Sequence, residues 1–341
     1  MLRGLSHSMG SKLQRTWSRG TRVAKMGLSA GVLLLTTSCT TTSVYDAPIQ
    51  TLKPTKPVIA LVLGGGGAKG FAHVGVIKAL EARGIKPDLI VGSSVGSFVG
   101  SLYASGMTAN HLEHLALTTP DTELTDFTLA YQGIIEGIKL KDFVNLQVGQ
   151  RPIEALPIRF AAVATEKHTG KQAVFTSGDT GLMVQASCSV PNIFIAPRIP
   201  EKVGKKYVDG GVSSLVPVDA ARALGADVVI AVDITDNTST NKGKAEGQRN
   251  IWSMMEQSYV AMQSTSKDGT TSGKYSQGGL PVTQAEVARA DVIIRPQVAH
   301  ISSVDTSRRS ETITAGEKAA NAKLAAIAEA IAKAAINPDI K

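Results

Sequence analysis

Cysteine is nearly missing from this chain, which has two cysteines, Cys39 and Cys188, among 341 residues. So low a cysteine count excludes a small disulfide scaffold. Charged residues make up 19% of the chain and hydrophobic residues 43%, which is too apolar a composition for a disordered chain. Internal repeats and a glycine-X-Y period are also absent, so the chain is not collagen-like. The length suits one large domain or two ordinary ones.

Acidic residues are absent from the first 38 positions, which hold six basic residues. The formal net charge of the whole chain is +8, and removing those six charges leaves +2 for residues 39–341. A basic excess often indicates a nucleic-acid partner. Because the excess here lies mostly in the N-terminal segment, we predict that the remaining chain binds no nucleic acid.

The N-terminal segment has the parts of a secretory signal peptide: a basic stretch, an apolar run over residues 26–35 and small polar residues. The run is too short to span a bilayer, which takes roughly 20 residues. The segment resembles the lipobox of bacterial lipoproteins, although Thr36 stands where that pattern has an aliphatic residue. We predict a signal peptide over 1–38, lipidation of Cys39 and a flexible tether over 39–57. A plain signal peptide or an uncleaved anchor is the alternative.

A lipidated Cys39 has two consequences. Thr40 follows it, and the resemblance to lipoproteins, in which Asp at this position favours the inner membrane, implies a cell-envelope protein anchored in the outer membrane and facing the periplasm. The anchor also uses one of the two cysteines, so no intrachain disulfide is expected. Cys188 is then predicted to be a buried structural thiol.

Apolar runs and helical periods alternate through the body of the chain. Residues 58–63 form a continuous apolar run typical of a strand buried on both faces, and residues 71–83 have helical spacing. Further strands are predicted at 88–91, 158–164, 173–175, 228–232 and 291–294. Further helices are predicted at 96–105, 218–224 and 315–336. This alternation predicts a parallel sheet covered by helices.

Two polar stretches, residues 235–250 and 266–280, are predicted as exposed loops. Neither side of these loops carries a complete sheet pattern. We therefore predict one domain over 58–341, with its core at 58–235 and a C-terminal strand and helix. Residues 107–155 are expected to be helical and loop-like.

Residues 65–70 match the G-x-G-x-x-G pattern of dinucleotide-binding loops, which makes a nucleotide-binding protein one alternative. That fold expects an acid at the end of the next strand, whereas Asp88 begins its strand. A phosphate-binding P-loop does not fit either, because Lys69 is followed by Gly70 instead of Ser or Thr. Lys69 either adds positive potential to a site or is a solvated residue at a helix start.

Residues 92–96 read Gly-Ser-Ser-Val-Gly, the G-x-S-x-G pattern, between a predicted strand and a predicted helix. A serine nucleophile needs such a sharp strand-to-helix turn, and the helix start directs free N–H groups at the reacting centre. Ser94 is therefore the candidate nucleophile. Acyl transfer also needs donors for the oxyanion. The candidates for these donors are the backbone N–H groups of Gly65, Gly66, Gly67 and Val95.

The residues alone leave two bases open for Ser94. A Ser–Asp–His triad would use Asp233 and His300, which follow the serine in the required order. A Ser–Asp dyad would use Asp209, which precedes two glycines at a predicted strand end. An ordinary Asp pKa of about 3.9 makes a poor base, and burial in a closed site would raise that pKa.

Taken together, these motifs resemble the patatin-like phospholipase family in its bacterial branch. Residues 64–70 are similar to the family's oxyanion loop, residues 92–96 to its nucleophile turn, and residues 209–211 to its catalytic D-G-[GA] motif. Residues 186–191 resemble the block that precedes that aspartate. The resemblance covers roughly residues 57–235.

The resemblance implies a three-layer α/β/α fold with a central, mostly parallel sheet. It further implies a Ser94–Asp209 dyad without a cofactor or metal, acting on a phospholipid or another acyl ester. Lys167 and Ser214 depart from the family pattern, which usually has Asp and Asn there. The oligomeric state is left open, and a catalytically silent envelope lipoprotein is a further alternative.

Overall fold

The computed structural model describes residues 56–130, 133–235 and 280–336. The predicted signal peptide, the lipidation site at Cys39, the tether up to residue 55 and nearly all of the two polar loops lie outside the described residues.

The order of elements follows the alternation of strands and helices. The strands are β1 (Ile59–Leu63), β2 (Leu89–Ser93), β3 (Phe127–Ala130), β4 (Gly133–Ile135), β5 (Arg159–Glu166), β6 (Gln172–Phe175), β7 (Arg198–Ile199), β8 (Lys205–Asp209), β9 (Val228–Val232) and β10 (Val292–Ile294). The helices are α1 (Phe71–Ala82), α2 (Val95–Ala104), α3 (Ala109–Thr118), α4 (Ile138–Gln147), α5 (Thr180–Ser187), α6 (Val218–Ala223), α7 (Leu280–Val287), α8 (Arg309–Asn321) and α9 (Leu324–Ile336).

The central sheet is mostly parallel. Strands β10, β9, β1, β2 and β5 lie side by side in that order and run in the same direction. Strands β6 and β8 pair with β5 in the antiparallel sense, and β7 pairs with β8. Strands β3 and β4 form a separate hairpin.

Helices cover both faces of this sheet, as the side chains of β1 show. Leu61 and Leu63 point into a cluster with apolar residues of α1, α2, α3 and α8. Ala60 and Val62 point into a second cluster with residues of α6 and α7. A strand with apolar residues on both faces reads as a continuous apolar run, which is why β1 was predictable. The predicted three-layer α/β/α fold with a mostly parallel sheet is confirmed.

Strands β2 and β8 meet end to end along one side of β5. Ser93, the last residue of β2, pairs with Val163, whereas Asp209, the last residue of β8, pairs with Ala164. Because β2 and β8 run in opposite directions, their carboxyl ends arrive at neighbouring positions of β5. The residue that follows β2 is thereby brought next to the last residue of β8.

The structure differs from the sequence prediction in several regions, among them helix α7 and the β3–β4 hairpin, which were not predicted. The prediction missed α5 because its residues are all buried, so no polar face gives it a helical period. The helix predicted over 315–336 is two helices, α8 and α9, and α8 begins at Arg309. Hydrogen bonds from Ala322 N to Lys318 O and from Lys323 N to Ala320 O form the turn between them, where neither Gly nor Pro signals a break.

Candidate active site

The turn between β2 and α2 holds Ser94 in an unusual backbone conformation. Ser94 has φ of 53°, in a region that non-glycine residues rarely adopt. Its flanking glycines are needed for space, because a Cβ on Gly96 would collide with the Leu63 carbonyl and a Cβ on Gly92 would collide with the backbone of Gly96. This is the sharp strand-to-helix turn that the G-x-S-x-G pattern predicts.

Ser94 and Asp209 are joined by a short hydrogen bond. Ser94 Oγ donates to Asp209 Oδ2 at 2.6 Å, and Gly211 N donates to the other carboxylate oxygen at 2.8 Å. Both side chains are buried. Burial raises the pKa of Asp209 to about 7, although both hydrogen bonds act in the opposite direction. A carboxyl group that titrates near neutral pH is suited to take a proton from a hydroxyl at that pH.

Neighbouring serines hold the backbone of both residues. Ser187 Oγ accepts a hydrogen bond from Ser94 N at 3.0 Å and donates one to the Val163 carbonyl of β5 at 2.6 Å. Asp209 N donates to the Ser189 carbonyl at 2.8 Å. Sequence reasoning assigned no role to Ser187 or Ser189. The resemblance of residues 186–191 to a family block was the one signal that could have found them.

The glycine loop after β1 supplies fewer free N–H groups than predicted. Gly65 N donates to the Leu215 carbonyl at 2.9 Å, so the prediction of Gly65 as an oxyanion donor is wrong. The N–H groups of Gly66, Gly67 and Val95 make no hydrogen bond to another residue in the described part of the chain. Gly67 and Val95 line the same cavity as Ser94, so their N–H groups are the better placed donors.

His73 holds the start of the glycine loop in place. Its ring is fully buried in α1, and Nε2 donates to the Gly64 carbonyl at 2.8 Å. Burial lowers the pKa of His73 to about 4, so the imidazole is neutral at physiological pH. His73 is therefore a neutral donor that orients the loop.

The predicted triad is not assembled. His300 has a side chain that is 53% exposed, and its Nε2 lies 2.8 Å from Glu311 Oε1. Asp233 is buried and forms an ion pair with Arg295 Nε at 3.2 Å. Since Ser94 bonds to Asp209 instead, the Ser94–Asp233–His300 alternative is wrong.

The structure also places Lys69 and Asp88, two other residues that the sequence analysis singled out. Lys69 is buried, so the interpretation of this residue as a solvated lysine is wrong. Asp88 accepts a hydrogen bond from Ile59 N at the start of β1, at the opposite end of that strand from the glycine loop. It therefore cannot serve as the ribose-binding acid of a dinucleotide site at that loop.

Cys188 is half-buried, so the prediction of a buried thiol is only partly met. Its Sγ lies 3.8 Å from Ser97 Oγ, and the residue lines the same cavity as Ser94. Burial, together with the negative charge of Asp209, raises the pKa of the thiol far above its usual range. A protonated thiol is a weak nucleophile, so Cys188 belongs to the cavity wall.

A cavity of about 220 Å³ opens beside Ser94. Helices α1 to α4 supply most of its wall, and the wall is apolar. The side chains that give it this character are Phe71, Val74, Val95, Phe98, Val99, Leu102, Leu112, Leu115, Leu124, Leu140, Phe143 and Phe194. A concave apolar site with a few polar groups at one end is typical of a site for an apolar ligand.

Charged side chains close one part of the cavity rim. Arg309 Nη2 pairs with Asp121 Oδ1, and Arg309 Nη1 donates to the carbonyl oxygens of Ala116 and Thr119. The Arg309 guanidinium also lies 5.2 Å from the centre of the Phe71 ring. The donors of Arg309 are thus engaged in holding α8 against the end of α3.

The described residues contain no group of three or more His, Cys, Asp or Glu side chains that could hold a metal ion. Within the same residues, no helix is both long and apolar enough to cross a bilayer.

The raised pKa of Asp209 predicts a pH-dependent cost to folding. The folded chain binds this proton more tightly than the unfolded chain, so stability is lost as pH rises from about 4 through about 7. Asp209→Asn removes the buried charge. Its Tm should exceed that of the wild type by roughly 5 °C or more at pH 8.5, and the gain should shrink at pH 5. Thermal unfolding at both pH values measures this.

Asp142→Asn is the matched control, because Asp142 is exposed on α4. Its effect on Tm should not depend on pH. A gain from Asp209→Asn that is equal at both pH values would contradict the buried-charge explanation.

Known proteins with similar sequences indicate the family to which this domain is related. The sequence profile described as patatin-like phospholipase matches residues 61–222. An uncharacterized NTE family protein of Mycobacterium tuberculosis is 35% identical over 202 residues, which are 59% of this chain and 55% of that protein. Human patatin-like phospholipase domain-containing protein 6 is 33% identical over 189 residues, which are 54% of this chain and 14% of that protein. The matched region therefore spans about half of the mycobacterial relative and a small part of the human one.

Among solved structures, VipD from Legionella pneumophila superposes with a TM-score of 0.52 at 14% sequence identity, covering 82% of this chain and 67% of that chain. At this identity the likeness concerns the fold alone. The family profile and the named relatives match this chain by sequence, which the structural match at 14% identity does not. Residues 61–222 of this chain therefore form a patatin-like phospholipase domain.

Proposed function

We propose that this protein is a serine acyl-ester hydrolase that releases fatty acids from phospholipids or lysophospholipids with a Ser94–Asp209 dyad. The observation that carries this proposal is the 2.6 Å hydrogen bond from Ser94 Oγ to Asp209 Oδ2 at the edge of an apolar cavity. The match of residues 61–222 to the patatin-like phospholipase family supports the same chemistry.

In the first step Ser94 Oγ attacks the carbonyl carbon of the ester while Asp209 Oδ2 takes the hydroxyl proton. A pKa of about 7 leaves Asp209 about half ionised at neutral pH and largely ionised above it, yet basic enough to accept this proton. The negative charge that develops on the carbonyl oxygen receives hydrogen bonds from the N–H groups of Gly66, Gly67 and Val95. Collapse of the intermediate expels the alcohol, which takes the proton from Asp209, and leaves an acyl-serine.

In the second step water attacks the acyl-serine. Asp209 takes a proton from that water, and the same N–H groups stabilise the second oxyanion. The serine leaves with the proton that Asp209 returns, and the fatty acid is released. Each proton that Asp209 accepts is given back within the same half-reaction, so the enzyme is regenerated unchanged.

The apolar cavity is evidence that the enzyme binds its substrate through the acyl chain. Its wall consists of apolar side chains from four helices, and burying each methylene group there contributes about 0.8 kcal/mol. The acyl chain therefore supplies most of the binding energy.

The cellular location of the protein is inferred from the sequence alone. A lipid on Cys39 and a tether over 39–57 would hold the hydrolase domain near a membrane, which is also the source of phospholipid substrate. We extend the proposal to a lipoprotein of the cell envelope, anchored in the outer membrane and facing the periplasm.

Ser94→Ala and Asp209→Asn should each lower the turnover of acyl esters by roughly 1000-fold or more, because each removes a partner of the proton transfer. The purified full chain is incubated with a mixed phospholipid extract, and released fatty acids and lysolipids are measured by mass spectrometry. His300→Ala is the matched control and should keep wild-type turnover, since His300 pairs with Glu311 at the surface.

Loss of activity in His300→Ala with near-normal turnover in Asp209→Asn would contradict the dyad. A folded wild-type chain that releases no fatty acid from any lipid offered would favour a catalytically silent lipoprotein. A Tm no lower than that of the wild type in each variant shows that a loss of turnover is not a loss of folding.

Narrowing the cavity should select against long acyl chains. Leu112 is buried in α3 and lines the cavity, so Leu112→Trp places a larger side chain in it. The ratio of kcat/KM for a long-chain ester to that for a short-chain ester should fall roughly tenfold or more, because excluding two methylene groups costs about 1.6 kcal/mol. A series of p-nitrophenyl esters of increasing chain length measures the ratio.

Leu117→Trp is the control, because Leu117 lies on the same helix and is 44% exposed. It should leave the ratio unchanged. Equal losses for short and long esters in Leu112→Trp would mean that the cavity does not hold the acyl chain.

A further inference from the structure

Basic side chains are concentrated at one end of the sheet, around the β7–β8 hairpin and the turn between β5 and β6. We define the hairpin patch as the basic residues of these two segments: Lys167, Lys171, Arg198, Lys202, Lys205 and Lys206. Residues 39–341 have a net charge of only +2. A patch with six basic residues therefore stands out against a nearly neutral chain.

The strand pairing brings these residues together in space. Arg198 on β7 pairs directly with Lys206 on β8, so their side chains share a face of the hairpin. Lys167 N donates to the Lys206 carbonyl at 2.9 Å, which ties the β5–β6 turn to the same place. Like charges collected in this way repel one another. Burial lowers the pKa of Lys206, and the positive charges of Arg198 and Lys167 lower it further.

Acidic residues compensate the patch only in part. Glu166 pairs with Lys205 at 3.1 Å. Glu201, the acid at the hairpin tip, pairs instead with Lys141 of α4 at 2.9 Å. In the described part of the chain, no ion pair neutralises Lys167, Lys171 or Lys202. The patch consequently keeps a net positive field.

An apolar side chain stands at the tip of the hairpin. Val203 is 83% exposed, more than any other large hydrophobic residue that the structure describes. Lys202 and Lys205 flank it in the chain. An exposed apolar side chain beside lysines suits an interface where a lipid headgroup layer meets hydrocarbon.

The hairpin is also coupled to the active site. Strand β8 begins in the patch with Lys205 and ends with Asp209, about 14 Å away at 3.4 Å per residue. The Lys141–Glu201 ion pair joins the hairpin tip to α4, whose Leu140 and Phe143 line the cavity. A surface that binds the hairpin thus lies close to the substrate cavity.

We propose that the β7–β8 hairpin docks on an anionic lipid bilayer, with Val203 inserted among the headgroups and the hairpin patch on the lipid phosphates. Each basic residue near such a surface contributes to binding, and the attraction is screened by salt. Docking is a separate property from hydrolysis and from the predicted acyl anchor. It would position the cavity next to a membrane substrate.

The test uses sedimentation of the full chain with phosphatidylcholine vesicles that do or do not contain phosphatidylglycerol. Every variant carries Cys39→Ser, so no acyl anchor contributes and the N-terminal segment is the same throughout. The triple variant Lys167→Gln, Lys171→Gln and Lys202→Gln should bind anionic vesicles roughly tenfold more weakly or worse at low salt. The difference from the parent should vanish in high salt and on neutral vesicles.

The matched control removes three exposed lysines elsewhere: Lys86→Gln, Lys318→Gln and Lys333→Gln. It has the same net charge as the first triple variant and should bind like the parent. Val203→Ser should weaken binding roughly fivefold or more, because an inserted valine is lost, whereas the exposed Leu117→Ser should not. Equal losses in the two triple variants, or equal binding of Val203→Ser and Leu117→Ser, would overturn the proposal.

Hydrolysis of a soluble short-chain ester is measured on the same samples. Both triple variants should keep the turnover of the parent, since neither touches Ser94, Asp209 or the cavity. If no variant hydrolyses any ester, the proposed hydrolase function fails, and the vesicle result still decides the docking proposal.

Discussion

The hydrogen bond from Ser94 to Asp209 forms because the carboxyl ends of strands β2 and β8 lie next to each other on β5. Strands β2 and β8 abut along β5, where they pair with consecutive residues, and this places the nucleophile turn beside the carboxylate at 2.6 Å. Ser187 ties the Ser94 backbone to β5, and Ser189 holds the Asp209 backbone. Because β5 supports both partners, their separation is fixed by sheet pairing and not by flexible loops.

The fold carries costs at this point. Ser94 sits at a positive φ, and Asp209 keeps a carboxyl group away from water. These costs persist only where the surroundings determine the geometry, and here the turn packs so closely on Leu63 that position 96 has no room for a side chain. The burial that destabilises the carboxylate also raises its pKa to about 7, which makes a dyad without histidine chemically workable.

Local turn chemistry explains why Ser94 could be predicted from the sequence. A serine between glycines, placed after an apolar run and before a helical pattern, is typical of a nucleophile turn. The buried strands were predictable for the same reason. Asp209 was one of two candidate bases, and only the resemblance of residues 209–211 to a family motif favoured it. Three features could not be predicted: the hydrogen bond from Gly65 to Leu215, the buried helix α5 and the role of Ser187. Each depends on residues that lie far apart in the chain and that only the folded sheet brings together. The choice between Asp209 and the Asp233–His300 pair likewise needed tertiary geometry.

The transfer of the Ser94 proton to Asp209 is tested most directly by the pH dependence of serine labelling. A fluorophosphonate probe is added to the full chain over pH 5 to 9, and the labelled peptide is identified by mass spectrometry. The rate of labelling at Ser94 should rise through a midpoint near 7, where Asp209 ionises, and should be lost in Asp209→Asn. A rate that does not change through this pH range, or labelling of Asp209→Asn as fast as the wild type, would contradict the dyad.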